Sequence, residues 1–220
     1  MYIYAARQPI LDKNKQLFGY ELLFRDGLVN AFPNIDGDEA TSKMIEGSQF
    51  SFGLDDFLGD KPGFINFTLE TLVKKYPSML PCDQIVVEVL ETIQPGKRLL
   101  AECQELKEQG YTLALDDYVH RNVWRHFYPY VDIIKIDKSF IFGMLENDAD
   151  YQIIVSTIAM VQKLELKVVA EGVENRAQLQ LLKQHRCDFA QGYYFARPLN
   201  EAQLAEFLEF KVPNGYLMLT

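Results

Sequence analysis

Cysteine is scarce and follows no useful pattern. Cys82, Cys103 and Cys187 are odd in number and lack CxxC spacing, which excludes a disulfide frame and a cysteine zinc site. They read as reduced thiols of a cytoplasmic protein. The three histidines, His120, His126 and His185, are as few and share no ligand spacing with the cysteines. No apolar run approaches the roughly 18–20 residues that span a bilayer, and no signal peptide precedes "MYIYAARQPI", so no membrane contact is expected. Positive charge is short: 22 Lys and Arg stand against 31 Asp and Glu, a formal net charge of −9. That balance argues against a nucleic-acid polymer, which is held chiefly through Lys and Arg on its phosphates. A small phosphate ligand stays open, because carboxylates filled with divalent cations become locally positive. No Ser-, Gly- or Pro-rich linker divides the chain, and one domain over 1–220 is expected.

Short apolar runs are plentiful, and they share their punctuation. "GFIN" ends on Asn66, "IVVEVLE" carries Glu88 and Glu91, and "LALDD" ends on Asp116 and Asp117. "DIIKID" carries Lys135 and Asp137, "VVAEGVE" carries Glu171 and Glu174, and "FAQGYYF" carries Gln191. Upstream, "LFGYELLFR" holds Glu21 and Arg25. The runs predict strands at 3–11, 17–24, 63–68, 85–90, 112–117, 132–136, 167–171 and 189–194. Helical patterning lies between them at 38–52, 95–109, 150–164 and 176–185. Buried strands alternating with amphipathic helices mean a parallel sheet with crossover helices. Eight strands favour a TIM-like (β/α)8 barrel. "DKNKQ" is too short for a crossover, so one strand at the N-terminus should run antiparallel.

Barrel strands converge at their carboxyl ends, which would gather these acids around one mouth. Packed carboxylates repel unless cations hold them. Carboxylates plus an amide suit Mg2+ or Mn2+ rather than zinc or copper. The Asp116–Asp117 pair offers a bridging ligand and a second one. Two such ions about 3.5–4 Å apart are a standard device for in-line phosphodiester cleavage. Singly, each residue also has a plain structural reading. Asn66 would cap the segment "FTLETL", Glu174 and Asn175 would cap the helix after them, and the Trp124–Tyr130 aromatics would be barrel packing or a partner surface.

These motifs together resemble the EAL domain family, whose members hydrolyse cyclic di-GMP to linear pGpG with two divalent cations. The likeness runs from "RQPILD" to "GYYFARPLN", and "YELLFR" is similar to the naming motif with Leu22 in place of alanine. It implies metal binding by Glu21, Asn66, Glu88, Asp116, Asp117 and Glu171. It implies catalytic roles for Lys135, Glu171 and Gln191, with Lys135 contacting the attacking water. It further implies a phosphate grip by Arg25, dinucleotide contacts by Gln8 and Pro198, and anchoring of the loop after the aspartates by Glu91. Mg2+ or Mn2+ would be the cofactor, Ca2+ inhibitory, and a homodimer is implied as well.

Two departures accompany the likeness. "DDYVHRNVWRHF" lacks the glycines that relatives carry after the aspartate pair, so positive φ at Val119, His120 or Arg121 would be strained. The N-terminal half, through "GLVNAFPNIDGDEATSKMI", resembles the EAL domains of EAL-HDOD proteins, in which catalytic residues are often lost. The alternative reading is therefore a weak or inactive regulator that binds cyclic di-GMP or a protein partner.

Overall fold

The computed structural model describes residues 3–26, 54, 57–211 and 217, without the side chains of 3–5 and 24–26. The helix expected over 38–52 lies outside the described residues, as does the segment "GLVNAFPNIDGDEATSKMI". Eight strands form a closed barrel in sequence order. They are β1 (Ile3–Asp12), β2 (Leu17–Asp26), β3 (Gly63–Phe67), β4 (Ile85–Val89), β5 (Thr112–Tyr118), β6 (Ile133–Ile136), β7 (Lys167–Ala170) and β8 (Phe189–Ala190). β1 is antiparallel to both β2 and β8, whereas the remaining pairs are parallel. The short "DKNKQ" turn dictates the reversed strand, as its length predicts.

Among the described residues the helices are α1 (Leu69–Val73), α2 (Lys97–Glu108), α3 (Lys138–Gly143), α4 (Asp148–Lys163), α5 (Arg176–Gln184) and α6 (Glu201–Glu206). The apolar stripe of α2 buries Leu99, Cys103 and Leu106, and that of α4 buries Ile154, Ile158 and Val161. Thr68, not Asn66, caps α1. Asn175 caps α5 in a reciprocal box with Gln178, while Glu174 contributes only its backbone N–H, donated to the Gln178 side chain.

The expected strand 189–194 stops at Ala190. Gly192 ends it at φ +151°, and a Cβ there would come within 2.3 Å of the Val173 backbone. Only glycine admits that approach, which lets Val173 N–H donate to the Gln191 carbonyl at 3.0 Å.

Apolar residues pack on both sides of the barrel wall. The outer layer, between strands and helices, includes Leu113, Leu115, Ile134, Ile136 and Val168. The interior is plugged by Ile10, Phe64, Val86, Ala114, Ile133 and Val169, with Phe18 and Phe189 against them. Each fully buried side chain of this size contributes about 1.5–3 kcal/mol.

The plug fixes what comes next. Side chains two apart on a strand share a face. Counting two onward from Phe64, Val86, Ala114, Ile133, Val169 and Phe189 reaches Asn66, Glu88, Asp116, Lys135, Glu171 and Gln191. β1 runs the other way, so Gln8 lies two before Ile10. One apolar layer closes the barrel floor, and the polar layer stands directly above it.

Candidate active site

Lys135 occupies the middle of that polar layer and is fully buried. Its Nζ lies 2.6 Å from Glu88, 2.7 Å from Asp116, 2.8 Å from Glu171 and 3.8 Å from Glu21. Burial alone would depress the ammonium. Asp116, Glu171, Glu21 and Glu88 more than reverse this, so Lys135 is held well above its ordinary range. Burial pushes Glu88 and Glu171 well above the usual carboxylate range, opposed by Lys135 and reinforced by Asp116 and Glu21.

Gln191 joins two of these acids. Its Nε2 donates to Glu21 at 2.5 Å and to Glu171 at 2.9 Å. Among the described residues, the buried Glu88 Oε2 and Gln191 Oε1 of the cluster have no hydrogen-bond partner. Buried acceptors left unmatched cost about 1–3 kcal/mol each. Negative charge in excess of one ammonium, displayed by hard oxygens with unused lone pairs, fits divalent cations.

Asp116 and Asp117 reach the mouth together through an irregularity in β5. Leu115 aligns with Ile134 and Tyr118 with Ile136, leaving both aspartates opposite Lys135 alone. This two-against-one count is a β-bulge, and Asp117 adopts φ +41° within it. Aspartate tolerates that region better than most residues. Asp117 is half-buried, and its carboxyl is pushed up to about 6, by burial first. A hydrogen bond with Glu171 opposes the shift, whereas the charges of Asp116 and Asp137 add to it.

One oxygen each from Glu91, Asp116 and Asp117 come together, all three within 4.8 Å of one another. Asn66 pairs in register with Glu88 across β3 and β4, and Gln8 with Glu21 across β1 and β2. Gln8 Nε2 donates to the Ala196 carbonyl at 3.3 Å, which brings it beside the segment holding Pro198. Arg25 pairs with Tyr4 through the backbone, and its side chain lies outside the described residues. Asp137, the acid that ends the "DIIKID" run, caps α3, where its side chain accepts from the Ser139 N–H at 2.6 Å.

The loop after Asp117 follows a different course from the strained one anticipated. Among the described residues, Val119, His120 and Arg121 avoid positive φ, and the chain turns instead through a 3-10 segment at Asn122–His126. The aromatic run is not a continuous exposed surface: Trp124 and Phe127 are 4% and 2% exposed and pack in the outer core. At the opposite end of the barrel, a groove of about 800 Å³ is lined by Lys13, Lys167, Lys183, Arg186 and Asp188.

The EAL domain model matches residues 38–198. The chain belongs to the EAL domain family. It is 41% identical over 196 residues to the cyclic di-GMP phosphodiesterase CdgJ of Vibrio cholerae, covering 89% of this chain and 44% of CdgJ. The EAL chain thus spans less than half of that relative's length. Its fold matches that of the PaMucR phosphodiesterase in complex with c-di-GMP, with a TM-score of 0.77 at 22% identity, over 92% of this chain and 94% of that one. Klebsiella pneumoniae BlrP1, solved with c-di-GMP and calcium or manganese, matches with TM-score 0.75 at 24% identity, over 90% and 56% of the respective chains. Among the described residues of this EAL domain, no helix is long and apolar enough to cross a membrane.

Proposed function

We propose that this EAL domain hydrolyses cyclic di-GMP to linear pGpG in the cytoplasm, using two divalent cations, Mg2+ or Mn2+. The observation that carries the reading is the Lys135 cage. Carboxylates from β4, β5 and the end of β7 converge within 2.8 Å of one ammonium, with Glu88 Oε2 buried beside it unpaired. Such a cage has no structural need that an apolar layer would not meet better. CdgJ, named as a cyclic di-GMP phosphodiesterase, supports the substrate.

Glu21, Asn66, Glu88, Asp116, Asp117 and Glu171 would hold the cations. When bound, these supply Lewis-acid stabilisation of the charge that develops on the phosphodiester. Lys135 keeps its proton throughout, because the surrounding acids hold it well above its ordinary range. It therefore acts as a fixed positive charge that orients the attacking water and balances the acids, not as a base. Glu171 accepts a hydrogen bond from Gln191 and receives the water's proton. Attack at phosphorus forms the new P–O bond and breaks one P–O3′ bond, and the departing O3′ takes a proton from solvent water, which leaves a linear dinucleotide with a terminal 5′-phosphate and a free 3′-hydroxyl. Arg25 grips a phosphate oxygen, and Gln8 and Pro198 bound the dinucleotide on the β1 side. Ca2+ fills the site but supports little turnover.

Purified protein incubated with cyclic di-GMP and Mn2+ or Mg2+ should release pGpG, and Glu21→Ala should abolish it. No pGpG above the Glu21→Ala background overturns the proposal. The glycine-free loop after Asp117 favours a second reading, a regulator that binds cyclic di-GMP or a protein without turnover. Its expected signature is nucleotide affinity in Ca2+ with no product in Mn2+. A homodimer, implied by family likeness, is checked by light scattering.

A further inference from the structure

The bulge in β5 has a hidden side. An unbroken pleat would turn Asp116 inward, Asp117 outward and Tyr118 inward to the mouth. Instead Tyr118 joins Leu113 and Leu115 in the outer core, buried against the helices. There the Tyr118 and Tyr128 hydroxyls share a hydrogen bond of 2.6 Å, and the His120 Nδ1 lies 3.0 Å from the Tyr118 hydroxyl. Met160 Sδ, on α4, lies 3.5 Å from Tyr128 Oη and 4.0 Å from Tyr118 Oη. Three polar groups thus meet behind the wall at the residue where the bulge ends.

We propose that Tyr118 is a positioning residue, latched by Tyr128 and His120, that holds the β5 bulge and thereby presents Asp116 and Asp117 to the mouth together. Glycines, which make positive φ easy, are absent from the loop here. Asp117 nevertheless stands at φ +41°, a backbone conformation that persists only when its surroundings enforce it. The buried Tyr118 ring and its two hydrogen bonds do so from the outside. Slipping the register by one residue would exchange the faces of Asp117 and Tyr118 and leave one aspartate at the mouth.

The latch rests on the two-cation reading for its effect on activity, but not for its structural content. The test uses Tyr118→Phe and Tyr128→Phe, each keeping its ring and losing one hydroxyl, and the double variant. Amide hydrogen exchange over residues 115–121 in EDTA should quicken three- to tenfold in either single variant, the usual effect of one lost internal hydrogen bond. Mn2+ affinity, read by titration calorimetry, should fall by a similar factor. The double variant should add little to either single one, as expected of partners in one contact. In turnover, kcat should drop at limiting Mn2+ and recover at excess Mn2+, with KM for cyclic di-GMP unchanged. A purely structural role would not give that metal-dependent recovery. Unchanged exchange and unchanged Mn2+ affinity overturn the latch. If the wild type makes no pGpG while the variants exchange faster and bind Mn2+ more weakly, the latch stands and the phosphodiesterase reading falls.

Discussion

Replacing Lys135 by methionine removes the ammonium with which the cage acids pair and keeps a side chain of similar length. Glu88, Asp116 and Glu171, each within 2.8 Å of Nζ, are then left facing one another. Breaking a buried ion pair from one side costs about 3–5 kcal/mol. In a domain of this size each kcal/mol shifts Tm by about 2–4 °C, so Tm should fall by about 6–20 °C at pH 8 in EDTA. The deficit should depend on pH in a defined direction. Glu88 and Glu171 already lie well above the ordinary value of 4.5, through burial first, with Lys135 opposing. Such groups bind their proton more tightly when folded, so they favour the fold most below 4.5 and lose that contribution as pH rises through the folded value. Without Lys135 both should rise further. The variant's deficit is therefore smallest near pH 5 and largest near pH 8. Mn2+ at about a hundred times its Kd should return roughly 2.7 kcal/mol to whichever protein binds it. Scanning calorimetry at pH 5 and pH 8, with EDTA or Mn2+, reads all of this. A variant as stable as the parent at pH 8 in EDTA, or a deficit that shrinks as pH rises, refutes the electrostatic account of the cage.

Three further outcomes are expected. Gly192→Ala forces a Cβ to 2.3 Å from Val173 at φ +151°, and should cost at least about 1–3 kcal/mol by urea unfolding while lowering turnover through displaced Gln191. Phe127→Ala should cost about 3–5 kcal/mol, whereas Val123→Ala, at an exposed position, should stay within about 0.5 kcal/mol in the same assay. Asn175→Ala removes the capping box of α5 and should lose about 1 kcal/mol with turnover unchanged, since its partners are the amides of that helix.

The strand runs were legible because barrel strands are covered on both faces and read as continuous Val, Ile and Leu. Where a run ended on Asn66, Glu88, Asp116 or Glu171, the polar residue marked the rim above the apolar plug. The reversed first strand was legible from loop length alone. Other features depend on contacts distant in sequence. β8 stops early because Val173 presses on Gly192, a meeting that spacing within "FAQGYYF" does not reveal. For Trp124 and Phe127 the sequence left barrel packing and a partner surface both open, and the 3-10 turn decides for packing by placing them in the outer core. The bulge is invisible in "LALDDY", since an extra residue in one strand is defined only by its partner.

Barrel closure rests on a narrow seam. β1 meets β8 at two register pairs only, Leu11 with Ala190 and Asp12 with Phe189. Nearer the mouth the joint continues as the isolated bridge between Arg7 and Leu199 and the bond from Gln8 to Ala196, whose partners are 188 residues apart. A ring sealed between its first and last staves is entropically slow to shut. Such a cylinder matures late, and the wall that Gln8 and Ala196 share on the β1 side exists only once the first and last strands of the barrel have met.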